Sequence, residues 1–282
     1  MESQKQDSRV FSFEFFPPRT DAGMEKLRAT RKQLAALKPR FFSVTFGAGG
    51  STQERTLETV LEIQNKSGIE AAPHLSCIGS SRQSIHNILK TYQDNDVKHI
   101  VALRGDLPSG LGEPGEFHFA NELIEYIRAE TGDHFHIEVA AYPETHPQAA
   151  DANTDLDNFK RKVEAGADSA ITQYFFNPDA YFSFIENCEQ RGVSLPIVPG
   201  IMPITNYKNI ARFSDACGAE IPRWIRKRLE TYGDDLAAIE DFGLDVVTAL
   251  CQRLLDEGAP GLHFYTMNRA EPTTKIWKNL GI

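Results

Sequence analysis

The chain alternates between short apolar runs typical of β-strands and longer segments whose apolar residues recur at helical spacing. The strand-like runs are rich in Val, Ile, Phe and Tyr, and several are apolar for most of their length, as strands buried on both faces should be. Eight such strands are predicted, at Phe11–Phe16, Phe41–Phe46, Glu70–Cys77, His99–Arg104, His136–Tyr142, Ser169–Phe176, Leu195–Ile201 and Gly261–Thr266.

Amphipathic helices are predicted between these strands. Ile85, Ile88, Leu89 and Tyr92, for example, follow the i, i+3, i+4, i+7 pattern of one helical face. The first four strands begin roughly 30 residues apart, which is the length of one βα unit. The interval before the eighth strand is about twice as long and has room for two or three helices.

This order predicts an α/β fold, a single (β/α)₈ TIM barrel with extra helices between strands 7 and 8. A doubly wound sheet is the alternative, but its dinucleotide fingerprint is incomplete. Gly47 and Gly49 are followed by Thr52 where the third glycine would stand. We therefore interpret Gly47–Ser51 as a loop between a strand and a helix.

Composition suits one large globular domain or two small ones, and no linker divides the chain. We predict a flexible N-terminus at residues 1–8 and a single domain, the barrel, over residues 9–282. The net charge of −9, without a basic stripe, argues against a nucleic-acid partner. Four dispersed cysteines, no apolar leader and no long apolar run predict a cytoplasmic protein without a membrane partner.

The first strand carries Glu14 between Phe13 and Phe15. A carboxylate among aromatic rings is costly unless it is paired, exposed or protonated. Two readings stay open at this point: a glutamate held by an arginine, or a catalytic acid with a raised pKa. Because strand residues alternate in direction, Glu14 is expected to point away from its phenylalanine neighbours.

Other polar residues occur where the predicted strands end, which is where barrel enzymes place their active sites. They are Thr45, His74, Arg104, Asp106, Tyr142, Glu144, His146, Gln173 and Arg269. His74, His146 and His263, with Glu14 and Asp106, could instead hold a metal, so a metal-dependent TIM-barrel hydrolase or lyase is the alternative function. The spacing contains neither HxH after the first strand nor HExxH, and we predict no metal.

The helix after the fifth strand begins with acidic residues and continues with Arg161 and Lys162. This order fits ordinary helix electrostatics. The two cations could also reach a pyrophosphate at the mouth of the barrel, and composition leaves both readings open.

Several motifs, taken in order, resemble those of the methylenetetrahydrofolate reductase family, in its short bacterial form. They are Phe13-Glu14-Phe15-Phe16-Pro17-Pro18-Arg19, Ala72-Pro73-His74-Leu75, His99-Ile100-Val101-Ala102-Leu103-Arg104-Gly105-Asp106, Ala141-Tyr142-Pro143-Glu144 with His146-Pro147, Ile171-Thr172-Gln173, and Phe264-Tyr265-Thr266-Met267-Asn268-Arg269. The resemblance extends over essentially the whole chain.

The resemblance implies a flavoenzyme, an oxidoreductase acting on CH–NH donors. It would use FAD and NADH or NADPH to reduce 5,10-methylenetetrahydrofolate to 5-methyltetrahydrofolate, which supplies methyl groups for methionine synthesis. A homo-oligomer is also expected, and residues 9–282 would form the catalytic barrel, with no regulatory domain of the kind that longer eukaryotic relatives carry. No separate nicotinamide domain is predicted, so the donor and the folate would use one pocket in turn, with ping-pong kinetics.

The resemblance also assigns residues by position. The catalytic residues are Glu14, as the general acid, and Asp106. Expected FAD contacts are Thr45, His74, Arg104, Gly105, Asp106, Phe119, Ala120, Tyr142, His146, Asp155, Asn158, Arg161 and Lys162. Expected substrate contacts are Glu14, Thr45, Asp106, Gln173, Tyr207 and Arg269.

Three aromatic positions depart from the family pattern. Phe46 and Phe119 stand where relatives can carry Tyr, so any hydroxyl contact there is lost. Tyr207 stands where relatives can carry a stacking Phe, and an aromatic ring is retained.

Overall fold

The computed structural model describes residues 1–6, 8–46, 50–106 and 115–282, without the side chains of residues 6 and 50–54. The predicted loops at Gly47–Ser51 and Leu107–Gly115 lie largely outside these residues. Strands and helices alternate along the described chain, as the hydrophobic pattern predicts.

Within the described residues, nine strands form one sheet in the order β7-β6-β5-β4-β3-β2-β1-β9-β8. Their bounds are β1 Val10–Phe15, β2 Phe41–Val44, β3 Glu70–Ser76, β4 His99–Leu103, β5 His136–Ala141, β6 Ser169–Thr172, β7 Ile197–Val198, β8 Gly200–Ile201 and β9 Gly261–Tyr265. The pairings of β1 with β2, β2 with β3, β3 with β4, β4 with β5 and β8 with β9 are parallel.

Helices connect these parallel strands. Their bounds are α1 Asp21–Ala35, α2 Gly50–Ser67, α3 Arg82–Asp94, α4 Ala120–Thr131, α5 Ala152–Glu164, α6 Pro178–Gln190, α7 Tyr207–Cys217, α8 Arg223–Tyr232, α9 Leu236–Asp256 and α10 Ala270–Leu280. This is the (β/α)₈ TIM-barrel class, and the predicted fold is confirmed. Residues 202–260 are fully described and hold three helices, α7 to α9, the upper end of the predicted number.

The predicted seventh strand is divided into β7 and β8 at Pro199. Proline has no backbone N–H to donate to a neighbouring strand. Its carbonyl still accepts a hydrogen bond from the His263 N–H, and Gly200 pairs with His263 in register. The sequence predicts one strand here because all its residues but Pro196, Pro199 and Gly200 are Leu, Ile or Val.

The described chain divides into two compact units. One contains Met1–Phe11, Ala141–Asn158 and Ile171–Ile282, and the other contains Ser12–Ala140 and Phe159–Ala170. In the second unit, Phe13 and Phe15 are buried and contact the ring of Phe42 at centroid distances of 6.1 and 5.1 Å. These phenylalanines form part of an aromatic core on one face of β1 and β2, which leaves the other face of β1 to Glu14.

The first unit begins with a 3-10 helix at Glu2–Gln6, where the sequence predicts a flexible segment. The Ser3 backbone and hydroxyl donate to Glu189, and the Gln4 amide, which is buried, bonds to Leu195 and Ile197. Polar composition alone did not indicate these contacts. No helix among the described residues combines the length and apolar character needed to cross a membrane.

Candidate active site

Glu14 lies opposite His74 on the same face of the sheet. The His74 Nε2 atom is 3.3 Å from Glu14 Oε2, and the two side chains are 11% and 19% exposed. Although they are close, Nε2 of His74 makes no hydrogen bond of acceptable geometry to any described residue. The pair therefore joins a carboxyl group to an imidazole that retains a buried polar atom for another partner.

Two small residues allow this approach. In register across the three strands, Glu14 of β1 pairs with Ser43 of β2, which pairs with Ala72 of β3. His74 lies two residues beyond Ala72 and points to the same face. Because Ser43 and Ala72 fill little space, Glu14 and His74 can meet across β2.

This geometry gives Glu14 a partner that neither reading named. Glu14 forms an ion-pair contact with His74. Its direction away from Phe13 and Phe15, which are fully buried, agrees with the strand alternation. A raised pKa for Glu14 stays a prediction.

Arg104, Gly105 and Asp106 follow directly after β4. Gly105 adopts φ +85°, and a Cβ at this position would lie 1.8 Å from the Ser76 hydroxyl oxygen. Only glycine fits, for both reasons. Arg104 bonds through Nε to the Gly105 carbonyl, while Asp106 is exposed.

Three further predicted flavin contacts of the second unit lie just after β2 and at the start of α4. The Thr45 N–H donates to the Phe15 carbonyl, which fixes the chain just beyond β2. Phe119 precedes α4 and is 59% exposed. Ala120 is the first residue of the helix.

Lys162 and Arg161 take different positions on α5. The Lys162 ammonium donates to the Ala140 carbonyl at the end of β5 and lies 5.4 Å from the centre of the Phe159 ring. Arg161 lies on the outer surface, in a cleft with Asn121 and Arg128 between α4 and α5. Lys162 therefore lies at the end of β5, whereas Arg161 lies between two helices. Composition could not separate these two positions.

In the first unit, the predicted flavin contacts cluster around His146. Its ring contacts that of Tyr142 at 4.4 Å between centroids. The Gln148 N–H donates to Nδ1 of His146, which in a neutral ring places the proton on Nε2. The Asp155 carboxylate accepts from the His146 N–H at 2.7 Å, and Asn158 lies one turn further along α5.

The predicted substrate residues of this unit are held by local bonds. Gln173 follows β6, and its side-chain oxygen accepts from the Tyr174 N–H. Tyr207 begins α7, and its hydroxyl lies 3.4 Å from Glu230. Arg269 precedes α10 and pairs with Glu240 of α9 at 3.1 Å.

Sequence reasoning missed two features here. Glu240 was not predicted as the partner of Arg269, because 29 residues separate them and no pattern relates them. Glu144 was noted only for its position at a strand end. Burial raises its pKa to about 7, although the Glu220 N–H donates to its carboxylate and opposes the shift.

The alternative metal-dependent function finds no support in the arrangement of these side chains. Among the described residues, the one cluster of His, Cys, Asp or Glu that could hold a metal is His99, His136 and Glu138. These residues lie near the starts of β4 and β5, away from the strand ends that carry Glu14, His74 and Asp106.

The fold and its strand-end side chains are those of a TIM-barrel enzyme. A family model described as methylenetetrahydrofolate reductase matches residues 1–281. The 5,10-methylenetetrahydrofolate reductase of Escherichia coli (strain K12) is 42% identical over 96% of this chain and 90% of that protein. The chain belongs to the methylenetetrahydrofolate reductase family.

A longer relative agrees with this assignment, and a solved structure agrees with the fold. Methylenetetrahydrofolate reductase (NADH) 1 of Arabidopsis thaliana is 38% identical over 99% of this chain but only 49% of that protein. A solved structure of an uncharacterized protein from Clostridium thermocellum, which binds two copies of 5-methyl-5,6,7,8-tetrahydrofolic acid, has a TM-score of 0.70 at 14% identity. It covers 99% of this chain and 96% of that one, and at this identity it supports the fold alone.

Proposed function

We propose that this protein is an FAD-dependent reductase. It converts 5,10-methylenetetrahydrofolate to 5-methyltetrahydrofolate with NADH or NADPH, which supplies methyl groups for methionine synthesis. Family membership supports the reaction. The observation that carries the mechanism is the Glu14 carboxyl, largely buried at a strand end with His74 3.3 Å away.

The residues present fit a flavin dinucleotide. His74 offers a buried Nε2 without a hydrogen-bond partner among the described residues. Lys162 supplies a cation for the pyrophosphate, and His146 supplies an Nε2 donor. When bound, FAD would supply hydride transfer, while these side chains bind and orient it.

Glu14 would supply the proton. The substrate holds its one-carbon unit in a ring between two nitrogens, and the ring must open to an iminium before hydride can attack it. Opening requires a proton on the leaving nitrogen, so a carboxylic acid must be protonated near neutral pH. Glu14 is only 19% exposed, and burial disfavours the ionised form of a carboxyl group, which favours the protonated state that the reaction needs.

The remaining residues would bind the folate and the donor. We propose that Gln173 bonds to the pterin, that Tyr207 stacks on either ligand, and that Thr45 and Asp106 contact flavin and substrate. Arg269 would bind substrate while remaining beside Glu240. Because the two ligands would use the same pocket, each should inhibit competitively against the other.

The purified protein tests this proposal directly. We expect yellow protein with a flavin absorbance spectrum, bleached by NADH or NADPH without oxygen and restored by 5,10-methylenetetrahydrofolate. Protein that purifies without flavin and does not bind added FAD would contradict the proposal. A homo-oligomeric state and a cytoplasmic location stay predictions, which light scattering and fractionation would check.

A further inference from the structure

Three ligating side chains meet at the starts of β4 and β5. His99 and His136 are the first residues of these strands and are partners in register, and Glu138 follows on the same face of β5. Glu138 Oε1 lies 3.3 Å from His99 Nε2 and 3.8 Å from His136 Nε2. One ligand atom from each residue lies within 4.8 Å of the others.

The buried members of this cluster have unused polar atoms. The side chains of His99 and Glu138 are only 6% and 4% exposed. Within the described part of the chain, neither Nε2 of His99 nor Oε2 of Glu138 has a hydrogen-bond partner. Buried polar atoms left in this way cost stability, and a shared cation would satisfy both at once.

The chemistry of the three side chains also suits a cation. Two imidazoles and a carboxylate are hard-to-borderline ligands that suit Zn²⁺ and related ions.

We propose that His99, His136 and Glu138 bind a divalent first-row transition-metal ion such as Zn²⁺. In a tetrahedral site with bonds of about 2.0–2.1 Å, neighbouring ligand atoms lie about 3.3–3.4 Å apart. The separations of 3.3 and 3.8 Å need only small shifts to reach this spacing. His136 is 46% exposed, so that solvent can reach the cluster and complete the coordination.

We expect an ion bound at this site to change the stability of the protein rather than its reaction. It lies at the opposite end of β4 from Arg104, which is about 16 Å further along the strand. In TIM barrels this end of the strands contributes to stability, while the other end carries the active site. An ion bridging β4 and β5 should therefore raise the melting temperature and leave the flavin chemistry unchanged.

The test uses the full-length protein with its flavin bound. After dialysis against buffered Zn²⁺, elemental analysis should find about one zinc per chain, and the melting temperature should rise. Removing a residue that only hydrogen-bonds to a zinc ligand already lowers zinc affinity by about 10–100-fold. Because His136 would be a ligand itself, His136→Ala should lower the affinity by more than about 100-fold. His136 Nε2 lies 2.6 Å from the Ser169 hydroxyl oxygen, a contact that the ion would replace. His136→Gln, which keeps a polar side chain beside Ser169 but lacks the imidazole, should behave in the same way.

A matched control is available on the surface. His86 Nδ1 lies 2.9 Å from Glu130, a histidine–carboxylate pair that is not part of the cluster. His86→Ala should bind zinc like the parent protein. No zinc uptake by the parent protein, or uptake by the two His136 variants equal to that of the parent, would overturn the proposal and leave the cluster as an ion pair only.

Discussion

The pairing of helices α1 and α2 through Glu62 leads to a quantitative prediction. Glu62 lies on α2 with a side chain only 7% exposed, and it accepts hydrogen bonds from Arg28 and Arg31 of α1 at distances of 2.7–3.1 Å. Hydrogen bonds from Arg28 are the main cause of a Glu62 pKa of about 2, since they and Arg31 outweigh burial. Glu62→Gln removes this charge and retains the shape of the side chain.

The size of the effect follows from that pKa. A fall from 4.5 to about 2 on folding corresponds to about 3 kcal/mol of stability at neutral pH. Arg28 is 36% exposed, and solvent weakens its share. Arg31 is 7% exposed and would lose a partner, which adds to the cost. We therefore expect Glu62→Gln to destabilise the protein by about 2–3 kcal/mol.

Thermal unfolding as a function of pH measures this difference. Each kcal/mol should lower the melting temperature by about 2–4 °C. Because the folded pKa is lowered, the contribution is complete above pH 4.5 and is lost as the pH falls toward about 2. The melting curves of parent and variant should therefore converge on acidification.

Glu25→Gln is the matched control, since Glu25 pairs with the same Arg28 but is 71% exposed. It should cost no more than about 1 kcal/mol. If Glu62→Gln melts within 1 °C or so of the control, or if its deficit does not shrink with falling pH, the reasoning about this buried pair is wrong.

Two further substitutions test the loop after β5 and the start of β8. The pKa of Glu144 is raised from 4.5 to about 7 in the folded protein. Between pH 4.5 and about 7 the folded protein therefore keeps a proton that the unfolded chain loses, and the free energy of unfolding should fall as the pH rises through this range. Glu144→Gln should lack this fall and have a higher melting temperature than the parent above pH 7. If the melting temperatures of parent and variant change with pH in parallel, the raised pKa of Glu144 is contradicted. Gly200→Ala would place a Cβ 2.1 Å from the Thr172 carbonyl oxygen and should cost about 1–3 kcal/mol or more. An unchanged melting temperature would show that the strand can move aside.

The hydrophobic pattern was enough to predict the fold. Strand β1 was expected at Phe11–Phe16 and lies at Val10–Phe15, because alternation and the following prolines mark both of its ends. The division of the seventh strand at Pro199 was not predicted, since apolar composition marks where a strand lies but not which backbone bonds it makes.

The candidate site was predicted only in part. Strand-end positions identified Glu14 and His74 separately, but their contact depends on the small side chains of Ser43 and Ala72 in register between them. Register is set by pairing between strands that are distant in sequence. The ion pair of Arg269 with Glu240 likewise depends on how α9 packs against the start of α10. The spacing of apolar residues along the chain does not predict that packing.

The general-acid role of Glu14 is the central claim, and single-turnover kinetics of Glu14→Gln test it most directly. Reduction of the bound flavin by NADH or NADPH should proceed at the parent rate, because this step needs no proton from Glu14. Reoxidation by 5,10-methylenetetrahydrofolate, followed by flavin absorbance without oxygen, should slow by about 10²–10⁴-fold. Reoxidation at the parent rate would contradict the account.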